Sequence, residues 1–424
     1  MRQKESIVEY LNTHQNKLYE LLSSLIKIDT QNFISRGNEK AGQEYLLEYL
    51  RESGIDCEMY YPDDVPSILS HEGYLGNRGT DSRPNLTAFI KGKNSGRKIT
   101  LAAHMDTMPL GNEADWSVPP LSGAIKDGRI WGRGSSDNKA GIAASVFAAK
   151  ALKDSGVLPE YDVYITSYAD EEYGGGNGAL ASCLKYPSDV YINLDGGGME
   201  VWPYGIGGGG CIAKIHSPVK ASTTTGVFNG ISVLVKHLED FGKRRFEELN
   251  ESPIFKDTVI QADAFRMLEI SCGQNGVDLE NGRVMFSYYT LSDYDIINKE
   301  LSDLSARVQE EISRYGLIFE GMERITRFFK PVNPDKIPDD AAVFAKILGE
   351  FKKSPVKIAG GCLSDLSVFS QYGGGTAFNT GLYKGFGEYG GPHQADEYVN
   401  CNELLALTCA IAVYLITKIE EVAK

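Results

Sequence analysis

The chain has 424 residues, 24% of them charged and 42% hydrophobic, and a formal net charge of −14. That length predicts two or three domains, and the composition is that of a globular protein, not of a fibre or a disordered chain. The acidic balance, opposed only by the short Lys243-Arg244-Arg245 cluster, excludes a general nucleic-acid or anionic-membrane binder, because phosphate surfaces repel it.

The N-terminal stretch MRQKESIVEYLNTHQ carries charges where a secretion signal needs an apolar run, and no stretch of about 18 apolar residues follows. The seven cysteines are scattered and contain no CxxC, as in reduced thiols of a cytoplasmic protein, which is the expected location. Helical spacing of apolar residues predicts one or two amphipathic helices over 5–26 and another over 38–54. Short strands are expected over 57–61, 85–90 and 99–103, then an alanine-rich helix over 141–153. A strand over 161–168 runs into Asp170-Glu171-Glu172, and after a helix over 177–184 a strand over 190–194 runs into Asp195. Gly205 and Gly207–Gly210 read as turns and a loose hinge, and the pattern changes beyond them. Residues 211–329 mix alternating segments with two helical patterns, over 230–241 and 298–315, and predict an inserted α+β domain. Pro331, Pro334 and Pro338 mark the return to the first domain, which closes with helices over 340–351 and 404–422. The fold expected is therefore an α/β domain of residues 1–210 and 330–424 interrupted by an α+β insert.

Chemistry concentrates at strand ends. His104 and Asp106 leave the end of one strand, Asp137 precedes a helix, and Glu171, Glu172 and Asp195 follow two further strands. Ligands of α/β sheets collect beyond the carboxyl ends of strands, so these residues can converge despite their separation. A pair of divalent ions needs a bridging carboxylate and about two more ligands each. His104, Asp137, Glu172, Asp195 and His393 supply that number. Glu171, beside a ligand, is suited to take a proton from an attacking water and pass it to a leaving amine. Asp106 can accept the second ring N–H of His104. Singly, each residue has an ordinary explanation: a capped strand end, a solvated helix start, a turn acid or a surface histidine.

Five segments in order, HMDTMP, GRGSSDNKAG, ADEEYGG, NLDGG and GPHQADEY, resemble the metal-site motifs of the M20 metallopeptidases. The resemblance implies a mixed-sheet di-zinc exopeptidase-type catalytic domain with a lid or dimerisation domain inserted. It implies two divalent metal ions, zinc first, with Co2+ or Mn2+ as alternatives: His104 and Asp195 on one, Glu172 and His393 on the other, Asp137 bridging. Glu171 would be general base and acid, and Asp106 would orient His104. The reaction implied is hydrolysis of an amide bond in a small peptide or an N-acyl amino acid. An Asp at the position of Asp195 accompanies small-peptide peptidases in that family, whereas a Glu there accompanies deacylases such as acetylornithine deacetylase and succinyl-diaminopimelate desuccinylase. The expected assembly is a homodimer through the insert, with no nucleic acid and no membrane as partner.

The insert departs from the family pattern. Lys220 stands where a His that helps hold the oxyanion is expected, in KASTTTGVFNG, and His216 is the other candidate. A lysine can donate there as a point charge. Asn275 is a candidate match to a family Asn, and the segment FSYYTLS lacks an Arg common at its position. A further reading is a protein that keeps its metals and only binds its ligand. Retention of Glu171 argues against it.

Overall fold

The computed structural model describes residues 2–219, 225–256, 261–274 and 277–422. The chain divides into two units, one of Gly205–Val332 and one formed by the residues on either side of it.

Among the described residues there are fifteen strands: β1 Asp56–Tyr60, β2 Asn85–Ile90, β3 Asn94–His104, β4 Ile125–Lys126, β5 Arg129–Trp131, β6 Tyr161–Tyr168, β7 Val190–Asn193, β8 Val201–Gly205, β9 Gly207–His216, β10 Phe265–Gln274, β11 Val277–Thr290, β12 Ile318–Arg324, β13 Ile358–Gly361, β14 Thr376–Thr380 and β15 Tyr398–Asn400. The first unit is built on an eight-stranded mixed sheet in the order β1-β2-β6-β3-β7-β14-β8-β13. At its centre β6, β3 and β7 run parallel, with His104 opposite Tyr168 and Ala102 opposite Asn193. This register brings the carboxyl ends of the three strands, followed by Asp106, by Glu171–Glu172 and by Asp195, to one end of the sheet. Central strands of this kind are covered on both faces and read as continuous apolar runs. Leu101, Ala103, Val163, Ile165, Val190 and Ile192 are accordingly buried in one core with the helix Lys139–Asp154 and the helix Cys401–Leu415.

The expected N-terminal helical stretch forms two helices, Arg2–Thr13 and Gln15–Ile26. The third, Glu39–Glu52, ends at Gly54, whose φ of +64° closes the chain back on Arg51 and Leu50. The closing helix expected over 404–422 breaks instead after Leu415 and resumes at Ile419–Val422. Apolar spacing continues across the break, which is why the sequence reads as one helix.

The second unit has its own core, made by the sheet β10-β11-β9-β12 and the helices Thr225–Glu251 and Tyr294–Ser313. The first runs beyond both ends of the stretch expected over 230–241, and the second begins before the stretch expected over 298–315 and ends before Tyr315. One expectation is overturned here. Gly207–Gly210 is not a hinge: it is the buried start of β9, paired with Ser287–Thr290 of β11. The glycines serve close approach of backbones. A Cβ on Gly207 would stand 2.6 Å from the carbonyl oxygen of Phe329, and one on Gly208, where φ is +148°, would collide with the carbonyl of Tyr288. No helix among the described residues is long and apolar enough to cross a membrane.

Candidate metal centre

His104 is the last residue of β3 and is fully buried. Its Nε2 lies 3.0 Å from Asp137 Oδ1, and the other oxygen of that carboxylate lies 3.2 Å from His393 Nε2. His393 Nε2 is also 3.2 Å from Glu172 Oε2. Donor atoms of His104, Asp137 and Glu172 lie within 4.8 Å of one another, as do those of His104, Glu171 and Asp195. Six of the residues singled out in the sequence thus share one pocket of the first unit. Asp137 stands between the two imidazoles.

Asp106 is placed differently from the sequence expectation. The closest acceptor for His104 Nδ1 is the main-chain carbonyl of Asp106, at 2.9 Å, while its carboxylate lies 3.6 Å away. That carboxylate is engaged elsewhere. It accepts the backbone N–H groups of Glu171 at 3.1 Å and Glu172 at 3.0 Å and the side-chain amide of Asn32 at 2.8 Å. Asp106 therefore ties the His104 corner to the Glu171–Glu172 corner, and its main chain fixes the imidazole tautomer. His216 belongs to the second unit, on β9, where its Nδ1 is 2.9 Å from Asn281 Oδ1. Lys220 and Asn275 lie outside the described residues.

Several supporting residues gave no usable signal in the sequence. Glu397, fully buried, accepts the N–H groups of Gly134 at 3.1 Å, Ser136 at 2.9 Å and Asp137 at 3.1 Å, and the Ser136 hydroxyl at 3.0 Å. Arg133 Nη1 also donates to it, at 2.8 Å. Asn379 donates to the Asp195 carbonyl at 2.8 Å and accepts from Asn193 at 3.1 Å, anchoring the third corner. Behind the Glu171–Glu172 corner lies a buried ionic group, Arg78, Arg83, Asp170 and Glu39. The only trace of these in sequence is that Glu397 follows His393 by four positions and Asp170 opens the acidic triplet.

The electrostatics follow from crowding. Burial, then the Asp195 charge, pushes the Glu171 carboxyl well above the usual range. Burial followed by Asp137 pushes Asp195 up to about 7. Glu172 is raised by burial as well. Asp137 goes the other way: against burial, hydrogen bonds from His104 and His393 hold it below the usual carboxylate range. His393 is pushed up to about 10 despite burial, chiefly by Glu172. Four carboxylates and two imidazoles in one partly enclosed pocket suit hard-to-borderline divalent cations, and two such cations carry the charge that balances four carboxylates. The donor set therefore fits a dinuclear centre.

The sequence profile of peptidase family M20/M25/M40 matches residues 100–417. Among curated proteins, the chain is 41% identical over 148 residues to the succinyl-diaminopimelate desuccinylase of Bradyrhizobium sp. (strain ORS 278), covering 32% of this chain and 38% of that one. It is 29% identical over 228 residues to the N-formyl-4-amino-5-aminomethyl-2-methylpyrimidine deformylase of Halalkalibacterium halodurans, covering 51% and 48%. These matches span less than half the length of either relative. Among solved structures, the dipeptidase Dug1p of Saccharomyces cerevisiae superposes with a TM-score of 0.74 at 15% identity, covering 97% of this chain and 98% of that one. At that identity the likeness concerns the fold.

Proposed function

Because the chain belongs to peptidase family M20/M25/M40, we propose that it is a metal-dependent hydrolase that cleaves an amide bond in a small peptide. The observation that carries the reading is the reach of Asp137 to both histidines, 3.0 Å from His104 and 3.2 Å from His393, with Glu172 and Asp195 in the same pocket. His104 and Asp195 would hold one divalent cation, Glu172 and His393 the other, and Asp137 would lie between. Zinc is the cation the donor set favours, with cobalt or manganese as substitutes. Bound there, the cations would supply Lewis acidity that polarises the scissile carbonyl and lowers the pKa of water.

The rest falls to side chains of this chain. Glu171 takes a proton from the attacking water and returns it to the leaving nitrogen. Asp106 holds the backbone N–H groups of Glu171 and Glu172, so the two carboxylates keep distinct directions. In the inserted unit, proposed as a lid, Lys220 is the first candidate for the oxyanion donor, with His216 and Asn275 behind it. Asp195 in place of Glu supports the peptide as substrate.

A second reading has its own support. The curated relatives with the matches described above act on N-acyl groups by name, a desuccinylase and a deformylase. An N-acyl amino acid is therefore the alternative substrate. Amine release from a panel of dipeptides, tripeptides and N-acetyl or N-succinyl amino acids, with zinc or cobalt supplied, separates the two. Cleavage confined to peptides supports the first reading, and cleavage confined to N-acyl amino acids replaces it with the second. Silence across the panel with two ions bound would leave a binding role.

We further propose a homodimer formed through the inserted unit and a cytoplasmic location, the latter supported by seven scattered cysteines with no CxxC among them.

A further inference from the structure

The corner that carries Glu171 and Glu172 has an unusual backbone. Asp170 has φ of +67°, Tyr173 +60°, Gly174 +65° and Gly176 +112°. Side-chain-bearing residues adopt this left-handed region rarely, and a corner with two of them holds its shape only where surrounding groups fix it. Arg78 and Arg83 supply those groups. Arg78 Nε donates to both Asp170 oxygens, at 2.9 and 3.1 Å, and its Nη2 donates to the same carboxylate and, at 2.9 Å, to the main-chain carbonyl of Glu172. The Arg78 side chain has no exposed surface. Arg83 adds a second contact to Asp170 at 2.9 Å and is itself held by Glu39 at 2.8 Å. The segment carrying Arg78 is pinned to the corner's far end, where Asn177 and Leu75 exchange two hydrogen bonds of 3.0 Å.

We infer that Arg78 is the positioning residue for Glu172, and through it for the cation held by Glu172 and His393. The inference rests on the dinuclear reading above. The peptide groups around Glu172 are gripped on both sides: its N–H by Asp106 at 3.0 Å and its C=O by Arg78 at 2.9 Å. The side chain then leaves in one direction, with Oε1 accepting the Met108 N–H at 3.0 Å and Oε2 turned to His393 at 3.2 Å. A planar fork is needed for this, because one nitrogen must serve Asp170 and Glu172 together while a second serves Asp170 alone; a lysine offers a single point. Gly175 admits the fork, since a Cβ there would stand 2.8 Å from Arg78 Nη2 and 2.7 Å from Asp170 Oδ1. Asp195 is held by a different group, Asn379, so the other cation is independent of Arg78.

The test is calorimetric titration of the metal-free full chain with Zn2+, supported by elemental analysis, for wild type, Arg78→Met and Arg78→Lys. Wild type takes up two ions. Arg78→Met keeps one at wild-type affinity and binds the second at least tenfold more weakly, and its lost turnover returns with excess zinc. Arg78→Lys stays nearer to Arg78→Met than to wild type, because geometry and not charge is at issue. Wild-type affinity at both positions in Arg78→Met overturns the inference, and so does equal weakening of both. If circular dichroism shows Arg78→Met unfolded, Asp170→Asn replaces it; selective loss of the second ion supports the inference and unchanged binding of both overturns it. A wild-type protein that fails to bind two ions removes the dinuclear reading and this inference with it. Two ions bound by wild type, and both bound at wild-type affinity by Arg78→Met, removes the inference alone.

Discussion

Glu397 lies beneath Asp137, accepting its backbone N–H at 3.1 Å while the Asp137 carboxylate spans His104 and His393. One buried carboxylate thus fixes the loop that presents another. Glu397 also closes a buried ion pair with Arg133 at 2.8 Å, so its removal leaves the Arg133 charge without its carboxylate and several N–H donors without their acceptor. Glu397→Ala should lose about 3–5 kcal/mol of unfolding free energy, the usual cost of breaking a buried pair. Denaturant unfolding of the metal-free protein measures it. Glu397→Gln, which keeps the shape, should lose less, and a loss below about 1 kcal/mol for the alanine variant would contradict this placement.

Metal removal should destabilise the chain and do so unevenly with pH. In the metal-free pocket burial and Asp137 push Asp195 up to about 7, and Glu172 and Asp137 push His393 up to about 10 against its burial. Both values lie above their unfolded counterparts of about 4 and about 6.5. Stabilisation from such groups is complete below the unfolded value and is lost as pH rises through the folded one. The melting temperature of the chelated protein should therefore fall between about pH 5 and about pH 9 by more than that of the zinc-loaded protein. At free metal one hundred times Kd, each ion should restore about 2.7 kcal/mol. Parallel curves for the two forms would contradict the crowded-carboxylate account.

Gly208→Ala tests the reassignment of the glycine run from hinge to strand. The added Cβ meets the Tyr288 carbonyl at a φ of +148°, which only glycine adopts at ease. A stability loss of about 1–3 kcal/mol is expected by calorimetry, with metal stoichiometry unchanged. A neutral or stabilising effect would favour a flexible hinge.

The sequence carried much of this architecture because its chemistry sits at strand ends. His104, Glu171, Glu172 and Asp195 stand at the ends of short apolar or alternating segments that read as strands, and the parallel register of β3, β6 and β7 turns those separate ends into one pocket. What holds the pocket was not legible. Glu397, Arg78 and Asn379 act through contacts with residues far away in the chain, and nothing local distinguishes them from a surface acid, a loop arginine or a strand asparagine. Gly207–Gly210 misled for a related reason: glycine looks the same where a chain must bend and where another backbone must come close.

A carboxylate oxygen of Glu171 lies within 4.8 Å of ligand atoms of His104 and Asp195, so its role as proton carrier and a role as ligand make different predictions. The most direct measurement compares wild type and Glu171→Ala side by side, with metal content by elemental analysis and amide hydrolysis on a cleaved substrate of the panel. The account predicts two ions per chain in both proteins, hydrolysis by wild type and a fall of at least 100-fold in the variant. An ion lost with the side chain would make Glu171 a ligand, and turnover surviving in a fully loaded variant would place the general base elsewhere and contradict the mechanism.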